Sequence, residues 1–289
     1  MDDCLIPRTI STLRDRLRHA LVAFGEVRLR DLERMADEVA GWQATLPPRA
    51  GHGIAQALRQ VLSAAVRWEY MTRNPAKLAG RNSQPPPRPP RAFTDDDLDA
   101  IAAELSARYR PLPTFCAATG LRPEEWQALE RRDIDRRAGV LRVRRTVSSG
   151  EVVELAKTAT SRREVPLDGE ATAALDALPP RLDVPLLFPA PAGGLLNLDN
   201  FRRREWGPAI EASGVRTPAR IYDLRSTFCS NALDAGVPLF LVARYMGTST
   251  EMIERHYGTL LDGSAAEFVN RLDAHRAATR RASDARLGH

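Results

Sequence analysis

Lysine is almost absent from this chain of 289 residues, and cysteine is scarce. Of the 42 basic residues, only Lys77 and Lys157 are lysines, and the others are arginines. The three cysteines, Cys4, Cys116 and Cys229, lie far apart and form no CxxC pair. This scatter argues against a disulfide framework and against a cysteine-ligated zinc site.

Long apolar runs are missing as well. No stretch approaches the roughly 18 uninterrupted apolar residues that are needed to cross a bilayer, and the first residues lack the basic-then-apolar order of a secretory signal. Apolar residues nevertheless make up 43% of the chain, enough to build a folded core. We therefore expect a folded cytoplasmic protein with no membrane partner and no bound metal.

A proline-rich segment indicates the domain boundary. Five prolines occupy the seven residues from Gln84 to Pro90, and such a run can form neither a helix nor a central strand. We predict a helical domain over 1–82, a linker over 83–92 and a second domain over 93–289. The formal charge is +4 over 1–82 and −1 over 93–289, so the first domain and the linker are the basic part.

Helical periodicity dominates the first domain. Apolar residues recur at helical spacing over Thr9–Phe24, Leu29–Leu46 and Gly53–Met71, and the last of these places Trp68 on its apolar face. The opposite faces are rich in arginine. A bundle with one basic side is predicted.

The second domain is predicted to be mainly helical around one small antiparallel sheet, which makes the fold class mainly α with an α+β domain. A hairpin turning at Ser148–Gly150 and a third strand at Val165–Leu167 form the sheet. Helices are expected over Thr94–Tyr109, Leu112–Ala118 and Glu124–Glu130, and then over 168–178, 197–212, 223–235, 238–246, 250–257 and 263–277.

Three segments combine residues that are suited to catalysis. In Thr119–Glu125, Gly120 ends one helix and Pro123 begins the next, so Arg122 occupies a tight corner; the alternative is an ion pair with Glu124 or Glu125. Tyr222 and Arg225 lie three residues apart at a helix start, where the alternative is a capped helix with an exposed arginine.

The third segment ends in His256-Tyr257-Gly258. Gly247 breaks a helix, Thr248 or Ser249 is suited to cap the next one, and Gly258 is predicted to end it. Tyr257 would then be the last residue of a short helix. The alternative for Tyr257 is ordinary half-buried packing.

Taken in order, these segments resemble the tyrosine recombinase (phage integrase) family, and in particular the integrases of actinobacterial-type mobile elements. The sequence contains TGLRxxE around Arg122, then DLRxxF around Arg225, then an MG turn and HYG at Tyr257. The segment from Lys157 to Leu167 is similar to the hairpin lysine of the family and the R-x-V-P-L strand that follows it. The resemblance covers about 93–270, and 1–82 resembles the helical core-binding domain more weakly.

The resemblance implies four catalytic residues. Tyr257 would attack a DNA phosphodiester and form a 3′-phosphotyrosine, without ATP, metal or other cofactor. Arg122 and Arg225 would hold the non-bridging oxygens of the phosphate. Lys157 would protonate the departing 5′-oxygen, a task for which arginine is too weak an acid.

Two positions depart from the family pattern. Tyr222 stands where the family usually has histidine, and Thr248 stands where it commonly has histidine or tryptophan. Both can donate a hydrogen bond to phosphate, but a phenol is a poor base at neutral pH. His256 is not expected to replace the base, because adjacent helical side chains point about 100° apart. An active but slow enzyme is expected; a catalytically decayed DNA-binding protein is the alternative.

The expected partner is double-stranded DNA, held between the two domains mainly through phosphate contacts. Candidate contacts are Arg162 and Arg163, together with Arg142, Arg144, Arg145 and Arg202–Arg204. The family implies a homo-tetramer on two DNA sites, with a tail helix carrying Phe268, Val269, Leu272 and Ala274 docked on a neighbour. The first helix begins close to Met1, so the extra N-terminal domain that many integrases carry is either absent or truncated.

Other questions stay open at the level of sequence. The target site and the need for a bending or directionality protein are two of them. A type IB topoisomerase-like enzyme shares the Arg-Lys-Arg-Tyr chemistry and is a third functional alternative, after the recombinase and the decayed DNA-binding protein.

Overall fold

The chain folds into two compact units, residues 1–88 and 89–289, in a computed structural model. The structure describes residues 7–80, 83–84, 86, 90–155, 162–181, 184–261, 269, 273 and 276–277. Each unit has its own hydrophobic core.

The first unit is a small helical bundle. Its helices are α1 (Pro7–Phe24), α2 (Leu29–Leu32), α3 (Ala36–Thr45), α4 (Gly51–Arg67) and α5 (Pro75–Leu78). Leu32, Val39, Leu58 and Leu62 meet in its core, and burying each such side chain contributes about 1.5–3 kcal/mol. The helical bundle predicted for this region is thus present.

Two details of the bundle differ from the sequence prediction. The helix predicted over Leu29–Leu46 is broken into α2 and α3 at Glu33, whose carboxylate accepts hydrogen bonds from the backbone and the side chain of Thr72. The next helix ends at Arg67, so Trp68 lies beyond it and is 66% exposed rather than part of the apolar face.

The second unit is built mainly of helices. They are α6 (Asp95–Glu104), α7 (Leu112–Thr119), α8 (Pro123–Gln127), α9 (Gly169–Asp176), α10 (Leu198–Phe201), α11 (Gly207–Ser213), α12 (Asp223–Asp234), α13 (Leu239–Met246) and α14 (Thr250–Leu261). A 3₁₀ turn at Arg131–Asp133 precedes the strands, and a π-helical segment at Arg202–Trp206 joins α10 to α11.

The strands of this unit form two antiparallel sheets rather than the one predicted. The strands β1 (Ile134–Asp135), β2 (Val140–Val143) and β5 (Arg163–Pro166) make a sheet in the order β1-β2-β5. The strands β3 (Arg145–Ser148) and β4 (Glu151–Glu154) make the predicted hairpin, with Ser149 and Gly150 both at positive φ in its two-residue turn. The ladder is interrupted at Arg144, between β2 and β3.

Two helix ends in this unit also differ from prediction. Helix α6 ends at Glu104 instead of Tyr109, because Tyr109 turns into the core, where its hydroxyl donates to the carbonyl of Pro189 at 2.9 Å. Helix α14 continues through Gly258 to Leu261, because a glycine inside a helix costs only about 1 kcal/mol and does not by itself end it.

Within the described residues, none of the helices is both long enough and apolar enough to traverse a lipid bilayer. The predicted fold class, mainly α with small antiparallel sheets, is confirmed. Of the predicted tail helix, only Val269 among the four apolar residues named above falls within the described residues.

We predict that Gly120→Ala destabilises the protein more than Gly139→Ala does. Both glycines have φ near +62°, where an L-residue costs about 1–2 kcal/mol. A Cβ at Gly120 would lie 2.5 Å from the ring of Phe228, whereas a Cβ at Gly139 would meet nothing within 4 Å. The clash adds about 1–3 kcal/mol. Urea denaturation checks this, and equal losses in the two variants would contradict it.

Candidate active site

The C-terminal end of helix α13 is the centre of the site. Gly247 takes the left-handed conformation at φ +64° and ends the helix. The backbone N–H groups of Gly247 and Thr248 donate to the carbonyls of Arg244 and Ala243. This arrangement satisfies the first two of the last four carbonyls of the helix and leaves the later ones to other donors.

Three arginines from distant parts of the chain donate to the two remaining helix carbonyls and to the carbonyl that follows them. Arg163 Nε donates to the carbonyl of Tyr245 at 2.6 Å, Arg225 Nη2 to that of Met246 at 2.8 Å, and Arg122 Nη2 to that of Gly247 at 2.6 Å. Three consecutive carbonyls are therefore bound by three guanidinium groups. Cations at this position also complement the partial negative charge at the C-terminal end of the helix.

Arg225 lies in the first turn of α12 and is only 3% exposed. Its Nη1 also donates to the carbonyl of Gly120, at the end of α7. The alternative of an exposed arginine on a capped helix is therefore wrong. Burial lowers the pKa of Arg225 to about 10, and repulsion from the charges of Arg122 and Arg163 acts in the same direction.

Arg122 occupies the corner between α7 and α8, as the sequence predicts. It also forms the ion pair that was the alternative, because its Nη1 donates to Glu125 Oε1 at 2.9 Å. The two interpretations are compatible, since a different nitrogen reaches Gly247. The Arg122 side chain is 34% exposed, which leaves part of the guanidinium open to a ligand.

Glu125 is the carboxylate that ties this cluster together. It is buried, and besides Arg122 it accepts two hydrogen bonds from Arg163, at 2.8 and 2.7 Å. Burial alone would raise the pKa of Glu125. The hydrogen bonds and charge of Arg163, together with the charge of Arg122, outweigh burial and lower that pKa to about 2.

The cluster therefore carries excess positive charge. Three guanidinium groups, two of them buried, face one ionised carboxylate. Such a surplus in a partly buried setting favours an anion that can accept hydrogen bonds from the open face of Arg122.

Tyr222 and Thr248 flank the arginine cluster. Tyr222 immediately precedes α12 and is 49% exposed, and its electrostatic interaction with Arg225 acts against the lowering of the Arg225 pKa. Thr248 is half-buried and directly follows the Gly247 carbonyl that Arg122 binds. Ser249 begins the next helix by accepting a hydrogen bond from Met252 N, so the predicted cap is Ser249 rather than Thr248.

The two remaining catalytic candidates are described less fully. Lys157 lies outside the described residues. The backbone of Tyr257 is part of α14, which packs against α12 and α13, but its side chain lies outside the described residues. The prediction that Tyr257 is the last residue of its helix is wrong, because the helix continues to Leu261. The adjacent His256 is exposed.

Two arginines that are predicted to contact phosphate are engaged by groups of the protein itself. The Arg163 side chain is only 4% exposed, with Glu125 and Tyr245 as its partners. Arg145 is buried between Glu130 and Asp133. Neither arrangement can be predicted from the sequence, because the carboxylate partners of both arginines lie outside the strands that carry them.

The other predicted contacts lie nearer the surface. Arg142 pairs with Asp135 and Glu164, Arg162 with Glu154, and Arg202 with Asp199, while Arg203 donates to the Asn200 side chain. Arg204 is exposed. A groove of about 570 Å³ is lined by Arg142, Arg144, Arg162, Arg163 and Arg244, among others. Sequence reasoning missed Arg244, which comes near β2 and β5 only in the folded chain.

Comparison with solved structures defines the class of fold. The Tn1549 transposon integrase in complex with circular intermediate DNA matches 93% of this chain and 95% of its own with a TM-score of 0.70 at 14% identity. A lambda integrase tetramer bound to a Holliday junction matches 85% of this chain and 72% of its own with a TM-score of 0.64 at 16% identity. The fold is that of these integrases.

The family follows from the sequence comparisons. The model described as "Phage integrase family" matches residues 92–262, more than half of the chain. A protein of Mycobacterium tuberculosis that is named as a prophage phiRv2 integrase is 27% identical over 263 residues, which cover 87% of this chain and 69% of the relative. The chain belongs to the phage integrase family of tyrosine recombinases, and the resemblance found in the sequence is confirmed.

We predict that Glu125→Gln destabilises the protein by about 3–5 kcal/mol at pH 7, because it leaves Arg163 buried without its carboxylate. The folded-state pKa of Glu125, about 2, lies below the unfolded value of roughly 4.3, so its contribution is full above pH 5 and is lost as the pH falls. The difference in the free energy of unfolding between wild type and variant should therefore decrease by about 2 kcal/mol as the pH is lowered from 5 to 2.5.

Urea denaturation across this pH range measures the effect. Glu124→Gln, at the half-exposed neighbouring carboxylate, is the matched control and should show no such narrowing. A Glu125→Gln difference that stays constant with pH would contradict the ion-pair assignment.

Proposed function

We propose that this protein is a site-specific DNA recombinase that breaks and rejoins strands through a 3′-phosphotyrosine intermediate. The observation that carries this proposal is the arginine cluster at the end of α13, where Arg122 and Arg225 lie beside each other with surplus positive charge. Membership of the phage integrase family and the likeness to integrases solved with DNA support the same reading.

The chemistry assigns one task to each group. The Tyr257 phenolate attacks the scissile phosphorus, forms the phosphotyrosine bond and breaks the bond to the 5′-oxygen. Lys157 transfers a proton to that oxygen, which leaves as a hydroxyl, and the 5′-hydroxyl of the partner strand later reverses the step. Because the bond energy is retained in the phosphotyrosine, the reaction needs neither ATP nor a cofactor.

Arg122 and Arg225 hold the two non-bridging oxygens in this proposal. Each carries several N–H donors, so the bonds to Gly247, Met246 and Gly120 leave donors available for phosphate. The carbonyl bonds also fix the guanidinium groups before the substrate arrives. Preorganised donors of this kind contribute about 3–4 kcal/mol each to the stability of the transition state.

Tyr222 and Thr248 replace the usual histidine positions and act as hydrogen-bond donors to phosphate. Neither is suited to take a proton from Tyr257 at neutral pH. The phenolate therefore depends on the positive charge of the arginines, and a slow cleavage step follows from that dependence.

The partner is double-stranded DNA. Residues 1–82 act as the core-binding domain, 83–92 as the linker, and 93–289 as the catalytic domain. Phosphate contacts beside the active site come from the groove lined by Arg142, Arg144 and Arg162. A homo-tetramer on two sites is proposed, in line with the lambda integrase tetramer on a Holliday junction.

We predict that Tyr257→Phe abolishes the covalent adduct with a nicked suicide duplex, because phenylalanine has no nucleophilic oxygen. Denaturing gel electrophoresis detects the adduct. Tyr70→Phe, at an exposed tyrosine of the first unit, is the matched control and should retain it.

Two outcomes, one in this assay and one in a plasmid-relaxation assay, would decide against the proposal. Absence of any adduct from the wild type would falsify catalytic activity and leave a DNA-binding protein. Relaxation of supercoiled plasmids without preference for any site would indicate a topoisomerase instead.

We predict that Arg144→Gln weakens DNA binding to a similar degree across sequences and lowers the slope of log affinity against log salt by about 1, because one phosphate contact is lost. Fluorescence anisotropy at several salt concentrations measures both quantities. Arg136→Gln, at an exposed arginine paired with Asp176, is the control and should leave the slope unchanged. An unchanged slope in Arg144→Gln would show that this groove is not part of the DNA-binding surface.

A further inference from the structure

We propose that Arg163 is a positioning residue for strand cleavage. It holds Arg122 and the segment leading to Tyr257 in the positions that the reaction requires, without itself touching DNA. The inference rests on the proposed function. It is an alternative to the direct phosphate contact that the sequence predicts for Arg163, and it rests on the engagement of all three nitrogen atoms of Arg163 by Glu125 and Tyr245.

One guanidinium group links elements that carry different catalytic groups. Arg163 opens β5 and follows Lys157 by six residues in the sequence. Its Nη1 and Nη2 bind both oxygens of Glu125, and Glu125 in turn binds the backbone N–H and the Nη1 of Arg122. The orientation of Arg122 is thus determined through Glu125 by Arg163.

The remaining nitrogen of Arg163 fixes the end of α13. Nε donates to Tyr245 O, one residue before the carbonyl that Arg225 binds and two before the one that Arg122 binds. The chain then passes through Thr248 into α14, which carries Tyr257. Arg163 therefore acts on the start of the helix of the nucleophile as well as on an arginine that binds phosphate.

Gly247 provides a second, independent indication of this contact. A Cβ at Gly247 would lie 2.9 Å from Arg163 Nη1 and 3.0 Å from its Cζ. The left-handed conformation of Gly247 at φ +64° also favours glycine. The turn after α13 is thus fitted against the Arg163 guanidinium, and a side chain at position 247 would displace it.

Lysine cannot replace Arg163 in this role. A guanidinium presents a planar fork that binds a carboxylate through two parallel bonds while Nε remains free for a third acceptor. An ammonium group keeps the charge but loses this geometry. Because a displacement of about 1 Å at a reacting group can reduce the rate about 100-fold, charge alone is not sufficient.

The test uses the full-length protein with Arg163→Lys and Gly247→Ala. We expect each variant to bind its duplex within about twofold of wild type, and to form the covalent adduct about 100-fold more slowly in single turnovers at saturating DNA. Arg136→Gln, which removes an exposed ion pair in the same unit, should react at the wild-type rate.

A duplex with sulfur in place of the leaving 5′-oxygen separates positioning from proton transfer. A thiolate leaves without being protonated, so this substrate should restore cleavage by Lys157→Ala. The cleavage rate of Arg163→Lys relative to wild type should be as low on the sulfur substrate as on the normal duplex, because the attacking and phosphate-binding groups stay misplaced. Recovery of Arg163→Lys on the sulfur substrate would overturn the proposal.

Other outcomes distinguish this inference from the proposed function. Failure of the wild type to form an adduct overturns both. If the wild type forms the adduct and Arg163→Lys forms it at the same rate, only the positioning role is overturned. If Arg163→Lys and Gly247→Ala both fail to fold, Arg163 is a stability element and the inference is also overturned.

Discussion

The structure depends on three guanidinium groups bound to three consecutive carbonyls at the end of helix α13. A helix terminus leaves unpaired carbonyls that need donors, and here Arg163, Arg225 and Arg122 supply them from three separate elements. Like charges held this close repel one another, and Glu125 offsets only part of that repulsion. The result is a largely buried cluster with surplus positive charge, a setting that favours an anion.

This arrangement is the basis on which the proposed strand cleavage proceeds without the usual histidines. In the proposed reaction Tyr222 and Thr248 donate hydrogen bonds to phosphate but are poor bases, so the positive charge of Arg122 and Arg225 has to favour both the phenolate and the transition state. The carbonyl contacts keep the two arginines in place in the absence of substrate. The arginines thus contribute to the stability of the fold and, in the proposed reaction, to catalysis.

Local patterns were sufficient to predict much of the fold, and long-range pairing was not. The corner at Arg122 followed from Gly120 and Pro123, whose conformational preferences act within a few residues. The break at Glu33 and the burial of Arg163 depend on partners 39 and 38 residues away, which no periodicity reveals. The prediction that the helix ends at Tyr257 is wrong, because one glycine does not cost enough to stop a helix that packs against α12 and α13.

The most direct measurement is mass spectrometry of the residue that carries DNA after cleavage of a suicide duplex and nuclease digestion. Our account predicts a nucleotide attached through a 3′-phosphate to the peptide containing Tyr257, with a free 5′-hydroxyl on the released strand. Attachment at Tyr222, or at any residue other than Tyr257, would contradict it.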